Sequence, residues 1–160
     1  MAKQDWREIV VSSLDWEQAH AKLESVVKDL AVPLRGQRPA GYPHSLWELL
    51  EHIRITQRDL LDFCVDPDYK EKLEWPRDYW PPTPAPPTLA AWDKTIADYR
   101  RDREALARFT TETKIDLTTR IPHGTGQTYL RTILVAVDHA SYHVGQIVSV
   151  RRLLGAWPAS

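Results

Sequence analysis

Thr128-Tyr-Leu-Arg-Thr-Ile-Leu-Val-Ala-Val-Asp138-His139-Ala-Ser-Tyr-His143-Val-Gly-Gln-Ile-Val-Ser-Val-Arg-Arg-Leu-Leu154 is the longest segment of the chain without a proline and with an apolar majority. Val135, Ala136, Val137, Ala140, Val144, Ile147 and Val148 spread around most of a helical circumference, so the stretch predicts a largely buried helix over 128–154. Gly155 ends it, because glycine takes the left-handed conformation that closes a helix. His139 and His143 stand four apart within it. That spacing sets the two imidazoles about 40° apart around the axis and roughly 6 Å along it, on a face that turns inward.

Working back from this helix, Ile121-Pro-His123-Gly-Thr-Gly-Gln breaks structure and reads as a turn. Before it, Trp92, Ile96, Tyr99, Arg103, Leu106 and Phe109 predict a third helix from a Thr88 cap to about residue 112. Ser45 with Glu48 forms the signature of a capping box, and Leu46, Leu49, Leu50, Ile53, Leu60, Leu61 and Phe63 carry a second helix to about Cys64. Trp16, Ala19, Leu23, Val26, Val27 and Leu30 recur at spacings of three and four and predict a first helix near 13–31. Prolines crowd residues 65–87 and exclude helix there, while Tyr69, Trp75, Tyr79 and Trp80 make it a segment that packs down onto the domain. The expectation is an all-α fold, a single domain over 1–160: a four-helix bundle with a long Pro-rich crossover between helices 2 and 3.

Composition narrows the function. With 21 Lys+Arg against 22 Asp+Glu the net charge is −1, which provides no basic field for nucleic acid. No apolar run approaches the roughly 20 residues of a membrane span, and the first residues lack the apolar core of a secretory leader. A lone cysteine, Cys64, forms no internal disulfide, so a cytoplasmic location is expected and the thiol reads as core. At this size a core forms without a structural metal.

Two buried imidazoles in adjacent turns have four nitrogens to satisfy, and a metal ion accounts for two of them. His52, in Trp47-Glu-Leu-Leu-Glu-His52-Ile, is the best third ligand, on a helix that can face the last one. Glu48, one turn earlier, is a candidate to orient His52 or to act as a base; its other role is the capping box. Gln146, one turn past His143, is a candidate to donate to a ligand or substrate. The structural alternatives are a carbonyl-bonded His139, a His143 at a subunit contact and His52 as an ordinary polar core residue. A zincin helix is excluded by Ala140 where the general base belongs, and a di-iron bundle by having only Glu17-Gln-Ala-His20 of the required pairs.

The ordered combination of Trp47-Glu-Leu-Leu-Glu-His52-Ile with Asp138-His139-Ala-Ser-Tyr-His143-Val-Gly-Gln-Ile and a terminal Leu-Leu-Gly resembles the DinB-like (YfiT-like) helical proteins over most of the chain. The resemblance implies a bundle with a three-histidine divalent metal site at His52, His139 and His143, holding zinc or nickel, in a homodimer. It also implies a small-molecule substrate. Relatives of this kind include transferases and isomerases that use a low-molecular-weight thiol, and others described as metal-dependent hydrolases. Activity does not travel with a fold, so the reaction stays open between hydrolysis and thiol transfer, and a non-catalytic binding module is the competing expectation.

Overall fold

A computed structural model describes residues 5–17, 19–112 and 114–157. Among these residues the fold is all-helical, with α1 (Trp6–Ser13), α2 (Leu23–Val27), α3 (Leu46–Val65), α4 (Leu89–Glu112) and α5 (Tyr129–Leu153). The only extended pairing among them is one bridge between Arg120 and Thr128, which brackets the 121–127 turn. No helix among the described residues is long and apolar enough to cross a membrane.

The three long helices begin and end where their caps stand in the sequence. Ser45 Oγ accepts the Glu48 amide at 3.1 Å while the Glu48 carboxylate accepts the Ser45 amide at 2.8 Å, a complete capping box at the start of α3. Thr88 and Thr128 accept the amides of Ala91 and Arg131, each at 3.2 Å, and open α4 and α5. Gly155, at φ +67°, closes α5.

α3 is the central element, packed against both α4 and α5. Its buried residues feed two separate apolar clusters. Leu49, Leu50 and Ile53 join Trp92, Tyr99, Val144, Ile147 and Val150 with residues of α2. Leu61 and Cys64 join Leu106, Leu117, Ile121, Ile133 and Ala136. Along the helices, Thr56 and Gln57 of α3 and His139 of α5 fall between these clusters, with His52 and His143 at the edge of the first. The histidines therefore sit at a seam in the core.

The first helix differs from its prediction. In place of one helix near 13–31 there are α1, which starts earlier on an Asp5 cap, and the five-residue α2, with non-helical backbone at the described residues 14–17 and 19–22 between them. Local side-chain partners explain the break. Asp15 pairs with Arg103 at 3.0 Å, Glu17 accepts from Ser25 at 2.8 Å, and Trp16, taken as part of the apolar stripe, is 43% exposed. At the other end Asp29 adopts φ 55°, and the guanidinium of Arg151 donates to the carbonyls of Val26 (2.7 Å) and Lys28 (3.1 Å). Those carbonyls would serve residues 30 and 32 in a continued helix. The stripe of Leu23, Val26, Val27 and Leu30 is buried as its periodicity predicts, but on a shorter element.

Residues 66–88 join α3 to α4 and lie against the beginning of α3. Ser45 Oγ donates to the Pro84 carbonyl at 2.5 Å, and a Cβ on Gly36 would come within 2.4 Å of the Ala85 side chain, so only glycine permits this approach. Tyr79 is buried and Trp80 is half-buried, which puts the most aromatic part of the connection directly over His52.

Candidate metal centre

His52 leaves the middle of α3 and His139 and His143 leave successive turns of α5, and their ring centroids lie 4.4–4.8 Å apart. One ligand-type nitrogen from each lies within 4.8 Å of the others. Nε2 of His52 and Nε2 of His139 approach to 3.0 Å. A tetrahedral ion with metal–nitrogen bonds of about 2.0–2.1 Å sets its ligand nitrogens about 3.3 Å apart, so the cluster needs only small adjustments to close on one.

The tautomers are set by what the other nitrogens do. His52 Nδ1 donates to the carbonyl of Tyr79 at 2.7 Å, and His143 Nδ1 donates to Oε1 of Gln146 at 2.7 Å. Each bond puts the proton on Nδ1 and leaves a lone pair on Nε2. In the metal-free state the His139 Nε2–H then donates to His52, and a proton stands where a cation would bind.

Electrostatics keep the rings neutral. Burial, with repulsion from His143 and His52 added, pushes His139 down to about 3. Burial likewise pushes His143 down to about 4 against the opposing bond to Gln146. Burial lowers His52 as well, opposed by the Tyr79 carbonyl and helped by His44. Neutral imidazole is the form that ligates metal, so the donor set fits a divalent ion of the zinc or nickel type.

Aromatic rings wall the cluster. Trp80 stacks on His52 with centroids 3.9 Å apart and planes within 3°, also stacks on His44 at 4.1 Å and 10°, and meets His143 edge-on at 6.1 Å. Tyr142, 64% exposed, meets His143 edge-on at 4.9 Å. The ring of His52 is thus fixed in plane by Trp80 and in rotation by Tyr79.

The other residues singled out from the sequence fall in different places. Glu48 gives its carboxylate to Arg38, whose Nε donates at 2.8 Å, and to the Ser45 amide. Burial pushes its carboxyl upward, but the bonds from Arg38 and Ser45 prevail and hold it below the usual range. Gln146 is at the cluster, as an acceptor from His143 where the sequence suggested a donor to ligand. His20 lies at the surface between the Ala21 carbonyl and Ser141, and Cys64 is buried with its thiol pushed up to about 12. The partners that sequence reasoning missed are the Tyr79 carbonyl, Trp80 and Asp59, which accepts the hydroxyls of Tyr69 (2.8 Å) and Tyr79 (2.6 Å). The clustering of aromatics in residues 69–80 was the available signal.

An all-helical protein with three neutral histidines converging from two helices is a candidate metal-binding protein. The profile of the DinB superfamily matches residues 15–147, most of the chain, and the chain belongs to that superfamily. Searches of curated proteins and of solved structures return no match.

Proposed function

We propose that His52, His139 and His143 hold one divalent cation, zinc or nickel, and that the protein is a metal-dependent enzyme acting on a small molecule, as a hydrolase or a low-molecular-weight-thiol transferase. The observation that carries this reading is the convergence of three neutral imidazoles, two of them with Nδ1 protons committed elsewhere so that Nε2 is free to ligate. When bound, such an ion supplies a Lewis acid that makes water or a thiol nucleophilic near neutral pH. The chain's own contributions are to keep the ligands neutral by burial, to orient His143 through Gln146 and His52 through Tyr79, and to cover one face of His52 with Trp80. Glu48, its carboxylate engaged by Arg38 and the Ser45 amide, caps the turn of α3 that precedes His52. The same reading includes a four-helix plan whose first member is divided into α1 and α2, the Pro-rich connection as its crossover, a homodimer and a cytoplasmic location; the exposed Leu134 and Tyr142 on α5 support an intersubunit face.

The test is elemental analysis of purified protein beside a His139→Ala/His143→Ala variant whose helicity is checked by circular dichroism. One stoichiometric ion, lost in the folded variant, is expected, and a cobalt-loaded form should change its visible spectrum on adding thiol. Absence of metal after incubation with zinc or nickel would defeat the reading. One observation favours a non-catalytic alternative: the two apolar clusters are built without any of the three histidines. A cobalt spectrum indifferent to every added thiol or anion would establish it.

A further inference from the structure

The His123-Gly-Thr-Gly turn has no part in the metal reading, yet it borders a hollow of about 330 Å³, at the low end of the roughly 300–1,000 Å³ of small-molecule sites. We infer that this hollow binds a small zwitterion of dipeptide size, with an ammonium and a carboxylate on separate arms, and presents it to the histidine cluster.

Position is the first support. Tyr79, in the wall of the hollow, is the residue whose carbonyl holds His52. Val135, on the α5 side, lies one turn before His139, and Asp59, on the α3 side, lies two turns beyond His52, roughly 10 Å along the axis. The histidine cluster is thus the next feature along both helices, outside the hollow's own lining.

Rigidity is the second. Asp59 is fixed by two tyrosine hydroxyls, and the turn is braced by Ile121 N to the Gln127 carbonyl (2.8 Å) and by Gln127 Oε1 accepting the Thr125 amide (2.8 Å). A Cβ on Gly124 would stand 2.8 Å from that Oε1 and 3.0 Å from Phe63, so glycine allows the turn to close on the wall. His123 Nε2 donates to the Phe63 carbonyl at 3.0 Å, which leaves Nδ1 as an acceptor.

Charge is the third and gives the ligand its class. Arg131 and Glu71 both line the hollow, and neither has an ion-pair partner among the described residues, in contrast to Arg54, Arg58, Arg101 and Arg103. With Asp59 also in its lining, the hollow offers anionic groups to an ammonium and a guanidinium to a carboxylate. A singly charged ligand would leave one sign unanswered.

The inference deepens the proposed function and rests on it for the reaction, but binding to the hollow needs no metal. The probe is L-alanyl-L-alanine, followed by amide chemical shifts of Gly124, Thr125 and Gln127 in metal-free and zinc-loaded protein. Arg131→Gln and Glu71→Gln, both at exposed positions, should each weaken it about tenfold. The N-acetylated dipeptide should lose nothing further in Glu71→Gln, nor the C-terminal amide in Arg131→Gln. No binding, or binding that neither variant alters, overturns the inference. Dipeptide binding in a protein that takes up no metal would defeat the metal reading alone, and metal uptake without dipeptide binding would defeat the hollow alone.

Discussion

Gln146 and Tyr79 serve two different histidines in the same way, one with a side-chain oxygen and one with a backbone oxygen. Outer partners of this kind are worth about 10–100-fold in metal affinity, so Gln146→Ala should weaken zinc binding by that factor while Gln146→Glu restores most of it. Competition against a chromophoric chelator reads both, and equal losses in the two variants would mean that the acceptor is irrelevant. Glu48 poses the opposite case, a residue with two candidate roles and one set of bonds. With one carboxylate oxygen engaged by Arg38 and the other by Arg38 and the Ser45 amide, Glu48→Gln should lower stability by about 1–3 kcal/mol and leave metal affinity unchanged. A loss of metal-dependent turnover at an unchanged unfolding midpoint would reinstate it as the base.

Residues 66–88 supply much of the surroundings of the candidate metal site, although their only helix among the described residues is the single 3-10 turn Arg77–Tyr79. Trp80→Ala removes the ring stacked on His52 and should cost roughly 1–3 kcal/mol together with a measurable loss of metal affinity, while Trp75→Ala, at a position 65% exposed, should change stability by less than about 0.5 kcal/mol. Similar effects at the two tryptophans in urea titrations would refute the assignment. The long helices were legible because their signals are local: Ser45 with Glu48, Thr88, Thr128 and Gly155 each act within one turn. His139 and His143 were legible for a related reason, since four-residue spacing on an apolar helix fixes direction, whereas His52 was legible as a polar residue set among core positions of a helix able to face theirs. The break between α1 and α2 was not, because it depends on Arg103 and Arg151, far along the chain, satisfying groups that an isolated helix would satisfy itself. The Tyr79 carbonyl was invisible for a simpler reason: every residue has one.

At the scale of the whole molecule, the depressed histidines link the fold to pH. Their native values, about 3 for His139 and about 4 for His143, lie below the unfolded value near 6.5, so between these limits the unfolded chain binds more protons. The metal-free protein should therefore hold this contribution fully above about pH 6.5 and lose it progressively as the pH falls toward 4 and 3. A His139→Gln variant should show a flatter dependence of its urea midpoint over that window, and an unchanged slope would contradict the native-state neutrality of the cluster. The ligands also stand far apart in the chain, His52 and His139 being 87 positions apart. Their pocket exists only after α3 and α5 have met, which puts it late in the order of events during folding. An ion that recognises so late an arrangement cannot hasten the search for it; it acts as a latch, leaving the refolding rate nearly unchanged and slowing escape from the native state, and stopped-flow chevrons with and without zinc should differ in their unfolding arms.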